Sequence, residues 1–120
     1  MSFKVVVVDD SALARKQLIR SLPEDWDVEI REAKNGQEGL TAFREGGDIM
    51  FLDLTMPDMD GFEVLETIAA ERENYLVIVV SADVQSRAVE RVKALGALAF
   101  IGKPVDGAQI QKTLEEYGLL

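Results

Sequence analysis

Short apolar runs alternate along the chain with segments whose apolar residues recur every three or four positions. Most of the runs are continuous, which is typical of strands that are buried on both faces. They predict five strands, at Phe3–Val8, Val28–Ala33, Ile49–Leu52, Tyr75–Ser81 and Ala99–Ile101. The second run differs because its apolar and polar residues alternate, and this pattern indicates a strand near the edge of a sheet.

Helical spacing follows each predicted strand. The second helix is expected over Gly36–Glu45. The other four are marked by apolar stripes at Ala14/Leu18/Leu22, Phe62/Leu65/Ile68/Ala69, Ala88/Val92/Leu95 and Ile110/Leu114/Tyr117. Pro23, Gly46, Gly96 and Gly118 are positioned to end helices. A strand followed by a helix, five times over, predicts a parallel sheet covered by helices on both faces.

Composition narrows the chemistry that such a fold can carry. The chain has 120 residues, which suits one domain, and it contains neither cysteine nor histidine. Disulfides, thiolate metal sites, histidine acid–base catalysis and Ser-His-Asp triads are therefore excluded. Any divalent metal must be held by oxygen, which favours magnesium, calcium or manganese. The net charge of −9 argues against direct binding of nucleic acid.

The sequence also bears on location. No apolar segment approaches the length of a membrane span, and the N-terminus lacks the basic-then-apolar pattern of a signal peptide. We therefore expect a cytoplasmic protein that does not interact with a membrane.

Reactive side chains lie at the ends of four of the five predicted strands. The first strand is followed by Asp9 and Asp10, the third by Asp53, the fourth ends at Ser81, and the fifth is followed by Lys103. Each residue alone has an ordinary explanation, such as a helix cap or a turn. Ligands of open α/β sheets, however, bind outside the carboxyl ends of the strands, where these side chains would meet.

Crowded carboxylates point to a cation and a phosphate at this edge. Like charges so close raise each other's pKa and oppose folding unless a cation intervenes. Magnesium satisfies carboxylates and keeps open positions for a phosphate, to which Lys103 adds a charge and Ser81 a hydroxyl. An Asp53 oxygen in that setting could attack phosphorus and form an aspartyl phosphate. Pro57 and Gly61 would hold the loop that keeps Asp53 aimed.

Four segments together resemble the response-regulator receiver domain, most closely its stand-alone chemotaxis (CheY-like) type. They are "VVVVDDSALAR", "FLDLTMPDMDGFEVL", "VIVVSAD" and "AFIGKP". The resemblance covers essentially the whole chain and is specific because all four occur in order. It implies a flavodoxin-like doubly wound (βα)5 fold, with a five-stranded parallel sheet in the order 2-1-3-4-5. Residues 1–120 would then form a single receiver domain.

The resemblance implies a phosphorylation site at Asp53, which would accept a phosphoryl group from the phosphohistidine of a sensor histidine kinase or phosphotransfer protein. Asp10 and Asp53 would bind Mg²⁺ directly, with Mn²⁺ as an alternative, and Asp9 would act mainly through water. Thr55 would offer its backbone carbonyl to the metal. Such a domain is a phosphoacceptor that promotes its own phosphorylation and dephosphorylation, and it is not a turnover enzyme.

The resemblance also implies a switch. Ser81 would hydrogen-bond the phosphoryl group, Lys103 would pair with a phosphoryl oxygen, and the Lys103-Pro104 peptide bond would be cis. Phe100 would swing inward when Ser81 moves and so change the surface of the fourth helix, fifth strand and fifth helix. That surface would bind an output protein that the sequence does not identify. The domain would be a monomer, with dimerisation on phosphorylation left open.

Some positions depart from the commonest family pattern. Ser81 replaces a more frequent Thr, and Phe100 replaces the Tyr of many chemotaxis members. The phenyl ring of Phe100 can rotate but cannot donate a hydrogen bond to a partner. The resemblance therefore does not imply the output of the flagellar-motor type. Thr55, Ala82 and Asp83 flank the expected pocket, where they would tune hydrolysis of the aspartyl phosphate or contact a phosphatase.

Three other functions compete with this interpretation. A haloacid-dehalogenase-like phosphatase also uses aspartyl phosphate and magnesium, but it requires Asp-x-Asp after the first strand, and here Ser11 takes the last position. A nucleotide- or flavin-binding module would need a glycine-rich phosphate loop where the chain has acids. A degenerate receiver that is never phosphorylated is disfavoured because the expected reactive side chains are all present.

Overall fold

The computed structural model describes residues 2–120. Its strands are β1 (Phe3–Val8), β2 (Val28–Ala33), β3 (Ile49–Leu52), β4 (Leu76–Ser81) and β5 (Ala99–Gly102). Its helices are α1 (Ala12–Ser21), α2 (Gly36–Arg44), α3 (Gly61–Glu71), α4 (Ser86–Ala94) and α5 (Gly107–Glu116). The predicted alternation of strands and helices is confirmed.

The strands form one parallel sheet in the order β2-β1-β3-β4-β5, so the predicted order 2-1-3-4-5 is confirmed. The register aligns the carboxyl ends of the central strands. Val8 pairs with Leu52, and Leu52 pairs with Val79. The residues that follow β1 and β3 therefore leave the sheet side by side, next to the end of β4.

The sheet separates two apolar cores. Side chains of β1 alternate between them, with Val6 and Val8 packing in one core and Val5 and Val7 in the other. The first core is completed by apolar residues of α2, α3 and α4, and the second by those of α1 and α5. Helices on both faces bury the central strands completely, which explains why their sequences are continuously apolar.

A few details differ from the prediction. Strand β4 begins at Leu76 and not at Tyr75, and β5 continues to Gly102. Ala69 and Tyr117 share the spacing of the predicted apolar stripes, but both are exposed. Tyr117 caps the end of α5, and Gly118 follows it in the left-handed region with φ +71°. Strand β2 is an edge strand as predicted.

Within residues 2–120, the helices are all too short or too polar to cross a lipid bilayer.

Candidate functional site

Three carboxylates converge where β1 and β3 end. One oxygen from each of Asp9, Asp10 and Asp53 can be chosen so that all three lie within 4.8 Å of one another. The backbone sets this arrangement, because the Asp53 N–H donates to the Val8 carbonyl at 3.0 Å and so ties the two strand ends together. Asp9 and Asp53 are buried, each with 6% of its surface exposed, whereas Asp10 faces solvent.

Lys103 reaches this cluster from the end of β5. Its Nζ lies 2.8 Å from Asp9 Oδ2 and 3.4 Å from Asp53 Oδ1. The Lys103 backbone N–H donates to the Ser81 carbonyl at 2.9 Å, which fixes the lysine beside the end of β4. The Lys103-Pro104 peptide bond is cis, as the resemblance implied. The structure therefore brings together four of the predicted site residues.

The electrostatics of the cluster single out Asp53. Burial, followed by the neighbouring charge of Asp9, raises the pKa of Asp53 to about 6, even though Lys103 acts in the opposite direction. Burial by itself favours the neutral amine of Lys103. The hydrogen bond to Asp9 and the attraction of Asp53 outweigh it, so the pKa of Lys103 is raised and the lysine stays charged. One partly buried ammonium thus compensates only part of the negative charge.

The donor set fits a hard divalent cation. All three ligand candidates are carboxylates, which Mg²⁺ and Mn²⁺ accept and softer metals do not favour. Asp9 is already engaged, since Oδ1 accepts from the Ser11 N–H at 2.9 Å and Oδ2 from Lys103. Among residues 2–120, no hydrogen bond or ion pair engages the Asp10 carboxylate, so it is the most available ligand.

The loop between β3 and α3 folds tightly back on Asp53. The Gly61 N–H donates to the Leu54 carbonyl at 3.0 Å. A Cβ on Gly61 would lie 2.5 Å from the Asp53 carbonyl oxygen, so the close approach requires glycine here. Thr55 is exposed in this loop, and its backbone carbonyl accepts no hydrogen bond from the described residues. The carbonyl is therefore free for a ligand.

The predicted switch residues, Ser81 and Phe100, lie on β4 and β5. Ser81 is fully buried, and its Oγ accepts from the Asp83 N–H at 3.1 Å. Ala82 and Asp83 are exposed on the loop that follows. Phe100 is half-buried and packs against the core that contains α4. No hydrogen bond in the described part of the chain links the Ser81 hydroxyl to the carboxylates.

Sequence reasoning overlooked Arg15. Arg15 lies outside the apolar stripe of α1, yet its Nη1 donates to the Asp9 backbone carbonyl at 2.6 Å. Its Nε pairs with Glu32 Oε1 at 2.9 Å. The position of Arg15 near the start of α1 indicated this contact, because a residue in the first turn of a helix lies close to the turn that precedes the helix.

The structure also bears on the phosphatase alternative. The Oγ of Ser11, which stands where that alternative requires an acid, accepts from the Ala14 N–H at 3.1 Å and caps α1. Asn35, Asp60 and Asp106 cap α2, α3 and α5 in the same way. Capping therefore explains Ser11, and it does not explain the buried carboxylates of Asp9 and Asp53.

Comparisons with known proteins agree with this geometry. Residues 5–115 match the family model described as the response regulator receiver domain. The chemotaxis protein CheY of Listeria monocytogenes is 37% identical over 115 residues, which cover 94% of this chain and 96% of that protein. A chain in the crystal structure of the CheX-CheY-BeF3-Mg²⁺ complex from Borrelia burgdorferi is 32% identical. The two chains superpose with a TM-score of 0.88 over 98% of this chain and 90% of that one.

Another relative is a longer protein. The protein-glutamate methylesterase/protein-glutamine glutaminase 2 of Koribacter versatilis is 45% identical over 116 residues. The match covers 93% of this chain and only 31% of the methylesterase, so the chain spans about a third of that relative. The shared part is the receiver region, and family membership follows from the match over residues 5–115. The chain belongs to the response regulator receiver domain family, whose CheY-like members are signalling switches of two-component systems.

Proposed function

We propose that residues 1–120 act as one receiver domain that is switched by phosphorylation of Asp53. The observation that carries the proposal is the buried Asp53 carboxylate, packed among two other acids with Lys103 Nζ at 3.4 Å from its Oδ1. This arrangement supplies a nucleophilic oxygen and a fixed cation at one point. Phosphoryl transfer asks mainly for such positioning and charge neutralisation.

The proposed donor is the phosphohistidine of a sensor histidine kinase or of a phosphotransfer protein. An Asp53 oxygen forms a bond to phosphorus while the phosphorus–nitrogen bond of the phosphohistidine breaks. The imidazole nitrogen leaves with the electron pair, and Asp53 becomes a mixed anhydride. Lys103 pairs with a phosphoryl oxygen, and Ser81 donates its hydroxyl to another. The nucleophile must be ionised. Burial and the charge of Asp9 raise the pKa of Asp53 to about 6 in the metal-free chain, and a cation held at this carboxylate would favour its ionised form.

Asp10 and Asp53 would hold Mg²⁺ or Mn²⁺, with Asp9 acting through water and the Thr55 carbonyl as a further ligand. When bound, the cation would neutralise negative charge on the carboxylates and the phosphoryl oxygens. The free Asp10 carboxylate and the free Thr55 carbonyl support this assignment. The neighbouring structure from Borrelia burgdorferi was crystallised as a complex with BeF3 and Mg²⁺, which supports the same chemistry for this chain.

The proposed output is a change of the surface formed by α4, β5 and α5. In the present structure the Ser81 hydroxyl is engaged with the Asp83 N–H at 3.1 Å, and Phe100 is only half-buried. Turning Ser81 toward a phosphoryl group would release that bond and open space into which Phe100 could rotate. Phosphate contacts made in only one of two conformations would then shift the equilibrium between them.

Partners are proposed by class only. The donor is a kinase or phosphotransfer protein, the output is a protein that contacts the changed surface, and a phosphatase could act at Thr55, Ala82 and Asp83. The relative from Borrelia burgdorferi forms a complex with CheX, which supports protein binding as the output. Dimerisation on phosphorylation is left open, and the cytoplasmic location stays a prediction.

The proposal is tested with a small phosphodonor. Wild-type protein and Asp53→Asn are incubated with acetyl phosphate and Mg²⁺, and intact mass reports phosphoryl addition. A parallel experiment uses beryllofluoride with Mg²⁺ and follows backbone amide shifts. Addition and shifts that need both Mg²⁺ and Asp53 are expected. A wild-type protein that gains no phosphoryl group and whose amides do not respond would remove the proposed function and leave a receiver-shaped binding module.

A further inference from the structure

Every polar group of Asp9 is occupied in a way that fixes the turn between β1 and α1. Its N–H donates to the Ala33 carbonyl at 3.1 Å, and its carboxylate accepts from the Ser11 N–H and from Lys103. Its carbonyl accepts from Arg15 Nη1 at 2.6 Å. The contact from Arg15 is the one in this set that a side chain outside the phosphorylation chemistry provides.

These contacts bracket Asp10 from both sides. The carbonyl held by Arg15 belongs to the peptide group that joins Asp9 to Asp10. The N–H held by the Asp9 carboxylate, at 2.9 Å, belongs to the peptide group that joins Asp10 to Ser11. Both flanking peptide planes are therefore fixed, while the side chain of Asp10 faces solvent. A fixed backbone with a free carboxylate is what a metal ligand requires.

Arg15 is itself held from the edge of the sheet. Its side chain is 15% exposed, and its Nε lies 2.9 Å from the Oε1 of Glu32 on β2. Glu32 orients the guanidinium so that Nη1 points at the Asp9 carbonyl. It also offsets the charge of Arg15, so the arginine does not repel a cation at the neighbouring cluster as strongly as a lone cation would.

We infer that Arg15, oriented by Glu32, is a positioning residue for the divalent cation: it fixes the Asp9–Asp10 peptide group and thereby aims the Asp10 carboxylate. The inference rests on the proposed function in that it assumes a cation at Asp10 and Asp53. It concerns a residue that touches neither the cation nor the phosphoryl group. Arg15 serves here because its planar fork reaches two acceptors at once, which a lysine ammonium on a flexible stem does less well.

The test compares Arg15→Lys and Glu32→Gln with a matched control. Arg31→Lys alters an equally short Arg–Glu pair on the same strand, since Arg31 Nη1 lies 2.9 Å from Glu45 Oε2, away from the turn. The Mg²⁺ dissociation constant of each protein is measured by titration of backbone amide shifts, without any phosphodonor. Thermal unfolding in EDTA reports stability separately. The rate of phosphorylation by acetyl phosphate is then measured as a function of Mg²⁺ concentration.

We expect Arg15→Lys to weaken Mg²⁺ binding about tenfold, at the lower end of the range for residues that orient metal ligands. The Mg²⁺ concentration for half-maximal phosphorylation should rise by the same factor, while the rate at saturating Mg²⁺ stays near that of the wild type. Glu32→Gln should act in the same direction, and Arg31→Lys should leave the dissociation constant unchanged.

Two results would overturn the inference. One is an Arg15→Lys protein that binds Mg²⁺ like the wild type. The other is a lower unfolding temperature of Arg15→Lys in EDTA with an unchanged Mg²⁺ dissociation constant. Arg15 would then stabilise the fold without positioning a ligand of the cation. Arg15→Gln adds a further check, because it removes the positive charge that Arg15→Lys keeps. If Arg15→Gln bound Mg²⁺ more tightly and Arg15→Lys bound it like the wild type, Arg15 would influence Mg²⁺ binding only through its charge. Failure of the wild type to bind Mg²⁺ would instead remove the proposed function.

Discussion

Asp53 is buried beside like charges, so its ionised form is less stable in the folded chain than in the unfolded one. Its pKa is raised from 3.8 to about 6 in the fold. Between these values the folded state binds more protons than the unfolded state, and stability therefore falls as pH rises. The penalty is complete above about pH 6, is relieved as pH falls through this window and is absent below about pH 4.

We therefore predict that Asp53→Asn raises the free energy of unfolding by about 1–2 kcal/mol at pH 7.5 in EDTA, since the amide carries no charge to bury. The gain should shrink as pH falls from 6 to 4. Urea unfolding at several pH values measures it. Mg²⁺ should reduce the difference in free energy of unfolding between the two proteins at pH 7.5, because it binds the wild type more tightly than Asp53→Asn. A variant less stable than the wild type at pH 7.5 would contradict the assignment of a buried, uncompensated charge.

Ser81 illustrates a second residue-level point, since one hydroxyl serves the resting conformation and is proposed to serve the switched one. Ser81→Ala removes the acceptor of the Asp83 N–H. We expect a stability loss of about 0.5–1.5 kcal/mol and phosphorylation of Asp53 that still proceeds. The amide shifts that beryllofluoride and Mg²⁺ induce in α4, β5 and α5 should become smaller. Ser86→Ala, at the exposed start of α4, is the control. Full-sized shifts in Ser81→Ala would count against the switch.

At the scale of elements, the loop between β3 and α3 is built around Gly61. A methyl group there would lie 2.5 Å from the Asp53 carbonyl oxygen and 2.8 Å from the Leu54 Cα, and backbone atoms cannot easily give way. We predict that Gly61→Ala costs about 1–3 kcal/mol of stability and weakens Mg²⁺ binding, because the loop must move away from Asp53. Chemical unfolding and Mg²⁺ titration measure the two effects.

Gly107→Ala is the matched control for this loop. Gly107 begins α5, and an added Cβ would meet its nearest neighbour, the Ser21 carbonyl oxygen, at 3.4 Å. Alanine should therefore be tolerated and should stabilise the helix by up to about 1 kcal/mol. If both variants behaved alike, the close approach at Gly61 would not be what holds the loop.

Among the helices, α4 is anchored differently from the others. Its N-cap, Gln85, makes no side-chain cap hydrogen bond, and Ala88 and Val92 are its buried residues. Its C-terminal end is tied down, since the Tyr75 hydroxyl donates to the Leu95 carbonyl at 3.4 Å. A helix that is uncapped at the end nearest Ser81 and held at the far end is suited to the movement that the proposed switch requires.

At the scale of the molecule, the two ends of the sheet are distinct environments. Trp26 lies just before β2, where its Nε1 donates to the Leu119 carbonyl at 2.9 Å and its ring packs near Phe3. The acid cluster lies at the opposite end of β1. Six residues of strand separate the two, and at about 3.3 Å per residue the distance is roughly 20 Å.

We therefore predict that Trp26 fluorescence changes little when beryllofluoride and Mg²⁺ bind, while amide shifts concentrate around the acid cluster and on α4, β5 and α5. The indole is buried against Phe3 and the C-terminal residues, so neither charge nor solvent changes around it. Steady-state fluorescence and an amide-shift map on one sample test this. Urea unfolding supplies the positive control for the indole signal. A large fluorescence change without unfolding would mean that the switch reaches the far end of the sheet.

Much of this architecture was predictable because its causes are local. The periodicity of apolar residues reflects which faces are covered, so the five strands and the order of elements followed from it. The predictions failed at positions where burial or strand bounds depend on neighbouring elements. Tyr117 has helical spacing with Leu114 but lies at the end of α5, where no neighbouring element covers it. The start of β4 and the end of β5 depend on pairing with neighbouring strands, which the sequence does not display.

By itself, the sequence determined which reactive side chains follow the strands, and the parallel arrangement implied that Asp9, Asp10, Asp53 and Lys103 would meet. Their distances were decided by the tertiary structure, since β1, β3 and β5 come together only through strand register. The tertiary structure also decided the pKa of Asp53, which is raised mainly because residues distant in the sequence bury its carboxylate. Helical spacing places Arg15 near Asp9, but Glu32 lies on β2, far away in the sequence, so the complete link from Glu32 through Arg15 to Asp9 appears only in the folded chain.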